Sequence, residues 1–198
     1  MGLELILLAI LSFIVGFFVK IVDFIEDDLK GVSKKSFLKR ISPFLGIIYG
    51  ALIILVIVLW PILIPLALGV VFGEFWANKI DAPGHKIAIV ALIVLSVLLL
   101  LFGGLNVGVS YYFIGFFVIF FASSLIDEYA DKYMEKQKKS KSIFRIFAFR
   151  PVLEVVSFIV SLVSGEWAFW LVIFFFDMAY LGSTKFLPKL ILIKKNKK

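Results

Sequence analysis

The chain has 198 residues, of which 62% are hydrophobic, and it carries a formal net charge of +7. A mean hydropathy of +1.08 is typical of an integral membrane protein, so the composition excludes a water-soluble globular domain. The absence of cysteine and the single histidine exclude disulfides, iron–sulfur clusters, thiol chemistry and a histidine-rich metal or haem site.

Long uncharged segments separated by polar loops predict an all-α, polytopic membrane protein with about seven transmembrane helices. The apolar stretch 44–77 is too long for one span at roughly 1.5 Å per residue. Trp60-Pro61 and Pro65 interrupt it, which favours two spans joined by a tight turn, because proline disrupts a helix interior. Further loops or turns are predicted at residues 79–86, 103–106 and 164–166. The predicted spans cover residues 3–24, 44–59, 62–78, 87–102, 109–130, 151–163 and 167–184.

The basic residues predict the orientation of these spans. Apart from Lys20, the lysines and arginines lie in residues 30–40, 79–86, 131–150 and 185–198. These segments fall on one side of a seven-span protein, so the positive-inside rule places the N-terminus outside and the C-terminus in the cytoplasm. We therefore expect a multi-pass protein of the cell membrane whose positive charge faces the cytoplasm. Its expected partner is the lipid bilayer, and no nucleic acid is expected to bind. The basic tail 186–198 is expected to be disordered.

Polar positions indicate an internal repeat. Asp23-x-x-x-Asp27 followed by Lys34-Lys35-Ser36 recurs with the same spacing as Asp127-x-x-x-Asp131 followed by Lys138-Lys139-Ser140. Spans one to three and five to seven also run in the same direction, which predicts a 3+1+3 arrangement of parallel repeats. The predicted units are residues 1–80 and 109–185 as three-helix repeats, 81–108 as a loop and linker helix, and 186–198 as a cytoplasmic tail.

This layout resembles that of the SWEET and PQ-loop transporters. The resemblance implies a transporter built from two parallel repeats. It is a resemblance of layout, since the chain contains no Pro-Gln dipeptide.

Two small-residue motifs predict close helix packing. Gly46-x-x-x-Gly50 and Gly69-x-x-x-Gly73 lie in the second and third spans. Small residues at this spacing let helix backbones approach one another closely in a membrane.

The two acidic pairs are candidate metal ligands. A spacing of four places both carboxylates of a pair on one helical face, where their charges repel. A divalent cation would relieve that repulsion, and carboxylate oxygens suit Mg²⁺ or Ca²⁺, with Mg²⁺ the expected ion. The alternative is that both pairs face water at the membrane surface. The candidate metal ligands are Asp23, Asp27, Asp127 and Asp131. The candidate phosphate ligands beside them are Lys34, Lys35, Arg40, Lys138, Lys139 and Arg145.

Three further carboxylates, Glu74, Glu154 and Asp177, lie a turn or more inside the predicted spans. Charges there are costly, so these side chains should face the bundle interior or a watery cavity, or form structural ion pairs. His85 falls in the predicted loop 79–86, which favours a loop residue over a catalytic one.

Two functions fit these features. In the first, the paired carboxylates hold Mg²⁺ and the basic residues hold the phosphate of a polyprenyl or other lipid phosphate. This arrangement is similar to the paired Asp-rich motifs of UbiA-type membrane prenyltransferases, a resemblance that implies metal-dependent chemistry on a lipid phosphate. In the second, the protein is a small transporter or channel for a cation or cationic solute. A non-catalytic membrane assembly subunit is a further alternative, and no phosphate-binding loop for a nucleotide cofactor is present.

Overall fold

The computed structural model describes residues 2–28, 37–80, 82–102, 110–137 and 151–195, and these residues form helices and turns without strands. The predicted all-helical fold is confirmed over this part of the chain. α1 ends in one wider π-helical turn, Phe24–Asp28, and a 3₁₀ turn, Pro61–Leu63, joins α2 to α3. The helices in the described residues are α1 Gly2–Asp23, α2 Phe37–Leu59, α3 Ile64–Trp76, α4 Pro83–Leu101, α5 Tyr111–Gln137, α6 Pro151–Ser164 and α7 Ala168–Lys195.

Four helical segments are long and apolar enough to cross a membrane, and they indicate a membrane protein. These are Gly2–Glu26, Lys39–Leu59, Pro83–Leu101 and Tyr111–Tyr133. Three apolar segments are shorter, namely Pro61–Trp76, Pro151–Ser164 and Ala168–Thr184. The shortest rises only about 21 Å, whereas the hydrocarbon core of a bilayer is about 30 Å thick. Seven spans, the repeat and the orientation therefore stay predictions.

The predicted helix breaks at residues 60–65 and 164–166 are confirmed, whereas the predicted turn at residues 103–106 lies outside the described residues. α2 ends at Leu59 and the next turn begins at Pro61, where the missing N–H of proline leaves no hydrogen bond unmade. Gly165 separates α6 from α7 with φ +77, a left-handed conformation that glycine adopts readily. Two expectations were wrong. α4 begins at Pro83, so the second half of the predicted loop 79–86 is helical, and α7 continues to Lys195, so the expected disorder of the tail does not begin at residue 186.

The helices surround a main apolar core, and a smaller second cluster of Val22, Tyr49 and Ala88 joins α1, α2 and α4. α1 packs mainly against α7 and α2, α2 against α4, α3 against α5, and α6 against α5 and α7. The main core cluster contains side chains from every helix except α4, with Phe120 and Phe169 fully buried at its centre and their ring centroids 5.3 Å apart. α4 thus lies outside this core and joins the bundle mainly through α2.

The two small-residue motifs lie at close helix contacts, as the sequence predicted. A Cβ atom on Gly46 would stand 2.3 Å from the carbonyl oxygen of Gly84, so α2 and α4 touch backbone to backbone. A Cβ atom on Gly69 would stand 2.8 Å from the backbone nitrogen of Phe121 on α5. Any side chain at these positions would push the paired helices apart, because real Cβ atoms do not approach other heavy atoms this closely.

Most of the internal polar contacts gather at one end of the bundle, which we call the polar end. It comprises the C-terminal ends of α1 and α3, the N-terminal ends of α2, α4 and α6, and the parts of α5 and α7 beside them. Contacts between Glu26 and Gly84, between Lys79 and Asp131, and between Asp127 and α6 connect these segments.

α3 ends at the polar end in a Schellman turn. Asn78 has φ 54, the left-handed conformation that closes such a turn. The Asn78 N–H donates to the Phe75 carbonyl at 3.0 Å, and the Lys79 N–H donates to the Glu74 carbonyl at 3.0 Å. The turn satisfies carbonyls that the helix end would leave without partners, and it fixes the direction in which Lys79 leaves the helix.

We expect Asn78→Ala to lower the stability of the protein by about 1 kcal/mol, because alanine tolerates the left-handed conformation less well than asparagine. Asn78→Gly should leave stability unchanged or raise it slightly, since glycine has no Cβ penalty there. Thermal unfolding of both variants in detergent measures the difference. Equal melting temperatures for the two variants would show that this conformation does not limit stability.

Candidate polar-end site

A chain of hydrogen bonds at the polar end joins four helices. The His85 Nε2–H on α4 donates to Asp23 Oδ1 at the end of α1, at 2.6 Å. The other ring nitrogen, Nδ1, is hydrogen-bonded to the Tyr49 hydroxyl on α2 at 2.6 Å, and the protonation state of the ring decides which of the two is the donor. The Tyr180 hydroxyl on α7 donates to Asp23 Oδ2 at 2.5 Å. Both oxygens of Asp23 are therefore hydrogen-bonded.

Tyr49 and His85 meet because α2 and α4 are in close contact. Gly46 and Gly50 flank Tyr49 and let the backbone of α2 approach that of α4. Pro83 occupies the first position of α4, a position that suits proline, and this places His85 in the first helical turn. The same glycine spacing that predicts close packing thus also brings the tyrosine to the histidine.

Glu26 lies beside this hydrogen-bonded chain and caps the N-terminus of α4. Its Oε1 accepts from the Gly84 N–H at 2.8 Å and from the Ser42 hydroxyl. Ala82, the residue before α4, has no polar side chain to cap the helix, so the carboxylate of a neighbouring segment does so instead. The second oxygen, Oε2, is buried and has no hydrogen-bond partner among the described residues.

The charges around the histidine are mostly negative. Glu74 and Glu26 both interact electrostatically with His85, in addition to the direct contact from Asp23. Lys20 supplies a positive charge beside them, since its Nζ lies 4.7 Å from the ring centroid of Tyr180 and it interacts electrostatically with Asp23. We call the group the histidine cluster, and it comprises Asp23, Glu26, Tyr49, Glu74, His85 and Tyr180.

A second polar group joins α3 to α5. The ammonium group of Lys79 lies 2.6 Å from Asp131 Oδ2 and 3.6 Å from Glu128 Oε2. In the opposite direction, the ammonium group of Lys132 on α5 donates to the carbonyl of Ala77 at the end of α3. Each helix thus contributes one lysine to the other.

Asp127 caps the N-terminus of α6. Its two oxygens accept from the N–H groups of Val152 at 3.1 Å and Leu153 at 2.7 Å. Helix N-termini leave such donors without helical partners, and Pro151 at the first position of α6 has no N–H of its own. Asp127 is only 2% exposed, so its charge is stabilised by the helix end rather than by water.

The structure distributes the predicted metal ligands over separate contacts. Asp23 belongs to the histidine cluster, Asp127 caps α6 and Asp131 pairs with Lys79, whereas the side chain of Asp27 lies outside the described part of the chain. No group of three or more His, Asp or Glu side chains that could hold a metal ion occurs among the described residues. The prediction of a Mg²⁺ site stays a prediction and gains no support from these contacts.

The other predicted site residues are only partly described. Glu74 is half-buried near the histidine cluster, Asp177 is buried on α7, and Glu154 is half-buried in the first turn of α6. Arg40 is exposed near the start of α2. The remaining predicted phosphate ligands lie outside the described residues, namely Lys34, Lys35, Lys138, Lys139 and Arg145.

The central residue of the site was missed at the sequence level. The interpretation of His85 as a loop residue is wrong, because it lies in the first turn of α4 and is hydrogen-bonded through both ring nitrogens. The signal that could have found it is the preceding Pro83-Gly84, since proline favours the first position of a helix. Tyr49 could have been noticed between the two glycines of its motif.

The comparisons with known proteins identify no relative for this site. No family model matches the chain, and no curated protein and no solved structure matches it significantly.

Proposed function

We propose that this protein is a multi-pass carrier of the cell membrane for a cation or small cationic solute, which binds at the histidine cluster. The observation that carries the proposal is the buried oxygen of Glu26 that has no hydrogen-bond partner among the described residues, beside two further carboxylates. Burying a carboxylate oxygen that accepts no hydrogen bond is unfavourable in free energy. A bound cation removes this cost, whether it is a metal ion or an organic cation that donates N–H hydrogen bonds.

The electrostatics of the cluster support a positively charged ligand. Asp23, Glu26 and Glu74 act together on His85, whereas Lys20 is the nearby lysine that interacts with Asp23. Ionisable groups inside a membrane are expensive and commonly mark the path of an ion or substrate. The negative charge of the three carboxylates would attract a cation and repel an anionic ligand, although among the described residues they do not form a cluster of three that could hold a metal ion.

The other hypothesis, Mg²⁺-dependent handling of a polyprenyl or lipid phosphate, requires the two acidic pairs to share an ion. Asp127 and Asp131 instead hold partners within the protein, and Asp23 holds two. The described contacts therefore favour the carrier over the metal-dependent enzyme.

The helix packing supports the 3+1+3 arrangement that a carrier of this kind would have. In the proposed repeat, α1 corresponds to α5, α2 to α6 and α3 to α7. The contact between α1 and α7 then corresponds to the contact between α5 and α3. In the same way, the contact between α1 and α2 corresponds to the contact between α5 and α6. All four of these pairs are principal contacts in the bundle. α4 lies outside this correspondence, against α2, as a linker helix would. With all seven helices in the membrane, the positive-inside rule places the polar end at the cytoplasm.

The test is uptake by purified protein reconstituted in liposomes, with radioactive sodium, rubidium and guanidinium ions as probes. We expect uptake of at least one probe above that of protein-free liposomes. Glu26→Gln and Asp23→Asn should each reduce it by about tenfold or more, the effect of losing ~1.4 kcal/mol of interaction with the ion. Glu166→Gln is the matched control, because this carboxylate is exposed in the turn between α6 and α7.

Two outcomes would contradict the carrier. One is uptake of all three ions equal to that of protein-free liposomes. The other is uptake that Glu26→Gln and Asp23→Asn leave at the level of Glu166→Gln, which would place the path elsewhere and favour a structural role for the cluster.

A further inference from the structure

The polar contact between α3 and α5 consists of two lysines that reach in opposite directions. Lys79 leaves the end of α3 and contacts Asp131 and Glu128 of α5, and Lys132 of α5 contacts the last carbonyl of α3, that of Ala77. We call these five residues the α3–α5 latch. Because each helix supplies one of the lysines, separating the helix ends breaks both contacts together.

The local structure holds the latch in place on the α3 side. The Schellman turn at Asn78 fixes the backbone of Lys79 through hydrogen bonds to Glu74 and Phe75. On the α5 side, Glu128 is buried, with a side chain 6% exposed, whereas Asp131 is 38% exposed. The lysine therefore connects a buried carboxylate to one that water reaches, as expected at the edge of an interface.

Above the latch, α3 and α5 are in close contact, and Phe72 of α3 packs edge-on against Phe117 of α5 with ring centroids 6.0 Å apart. Gly69 and Gly73 of α3 face Phe120, Phe121 and Ser124 of α5, and the glycines have no side chains to fill grooves on the partner helix. Ser124 donates a long hydrogen bond of 3.4 Å to the Val70 carbonyl.

The latch has a counterpart on the other side of the bundle. In the proposed repeat, α3–α5 and α1–α7 are equivalent pairs, and each joins the first repeat to the second. The α1–α7 pair is fastened at the polar end by the hydrogen bond from Tyr180 to Asp23. Relative motion of two repeats, the usual basis of alternating access, must separate both pairs at this end.

We propose that the α3–α5 latch closes the polar end of the bundle and controls access of the cation to the histidine cluster. The proposal rests on the carrier function and adds a gate to it. Partly exposed ion pairs of this kind are weak enough to break and re-form, which a gate requires. A cation that binds Asp23 in competition with Tyr180 would loosen the α1–α7 fastening, so the two pairs would open together.

The chain is suited to a direct measurement, because it contains no cysteine. Ser124→Cys places a single thiol within the α3–α5 interface, at a residue that is 3% exposed. The rate of its reaction with N-ethylmaleimide in the purified full-length protein reports how often the interface opens. We expect Lys79→Met and Asp131→Asn, each added to Ser124→Cys, to raise this rate by about fivefold, corresponding to ~1 kcal/mol in the free energy of opening.

Lys86→Met is the matched control, since Lys86 is an exposed lysine in the first turn of α4 at the same end of the bundle, and it should leave the rate unchanged. The charge-reversed pair Lys79→Asp with Asp131→Lys distinguishes a latch from general damage to the fold. It should bring the rate back towards that of Ser124→Cys alone. A charge-reversed protein that reacts as fast as Lys79→Met overturns the proposal, as does an unchanged rate in both single variants.

The labelling rate does not depend on transport, so the two proposals can fail separately. Faster labelling without uptake of any probe ion would support the proposed latch and contradict the proposed carrier function. In the opposite case, Glu26→Gln abolishes uptake and Lys79→Met leaves the labelling rate unchanged. This result would support the proposed carrier function and contradict the proposed latch.

Discussion

Gly16→Ala is expected to destabilise the protein strongly, although it adds a single methyl group. A Cβ atom on Gly16 would stand 2.3 Å from the carbonyl oxygen of Phe176 and 3.0 Å from its carbonyl carbon. These are backbone atoms of α7, so they cannot rotate away as a side chain would. α1 and α7 must therefore separate, at a cost of about 1–3 kcal/mol or more for forced overpacking, and the melting temperature in detergent should fall accordingly.

Gly115→Ala is the matched control, because Gly115 precedes two phenylalanines in the same Gly-Phe-Phe motif as Gly16. Nothing lies within 4 Å of the position that its Cβ would take. Alanine is favoured over glycine within a helix, so this substitution should raise stability by up to about 1 kcal/mol. The two variants should thus shift the melting temperature in opposite directions. A shift of the same sign and size in both would show that the contact between α1 and α7 is looser than described.

The architecture is largely readable from the sequence because local rules set it. Pro61 and Gly165 end helices through their own backbone preferences, and their neighbours need not be known. The close contact at Gly46 and Gly50 also follows from a local pattern. What the pattern does not specify is the partner, since α2 packs against α4, which follows it only after the intervening α3.

The candidate site is much harder to predict from the sequence, because residues that are far apart in the chain form it. Asp23 is joined to His85 across 62 positions and to Tyr180 across 157. Nothing local to an aspartate at a helix end distinguishes a hydrogen-bonded residue from a solvated one. The buried state of the site follows from packing between helices, which no single helix encodes.

The two aspartates of the second acidic pair illustrate the same limit. Asp127 and Asp131 are one helical turn apart and look equivalent in the sequence, where both were predicted to hold a metal. Their surroundings differ, because α6 presents free N–H groups to Asp127, whereas Lys79 reaches Asp131 from the end of α3. Which of the two is buried depends on the rotation of α5 within the bundle.

This difference predicts unequal effects of substitution. Asp127→Ala removes the acceptor of two backbone N–H groups at a buried helix end, and we expect it to lower the free energy of unfolding by about 2–4 kcal/mol. Asp131→Ala removes only a partly exposed ion pair, so its effect should not exceed about 1 kcal/mol. Asp127→Asn keeps one acceptor oxygen and should fall between them. Thermal unfolding of the purified variants in one detergent ranks all three.

Adding Mg²⁺ to the same measurement separates capping from metal binding. A divalent ion held by both aspartates would raise the melting temperature of the unmodified protein through its affinity for the folded state. Asp127→Asn and Asp131→Asn would then remove that rise to the same extent, because each loses a ligand of one ion. If Asp127 acts as a cap, Mg²⁺ leaves all melting temperatures unchanged and the ranking of the variants follows burial alone. A Mg²⁺-dependent rise that both substitutions abolish would instead restore the metal hypothesis and contradict the separate roles assigned to the two residues.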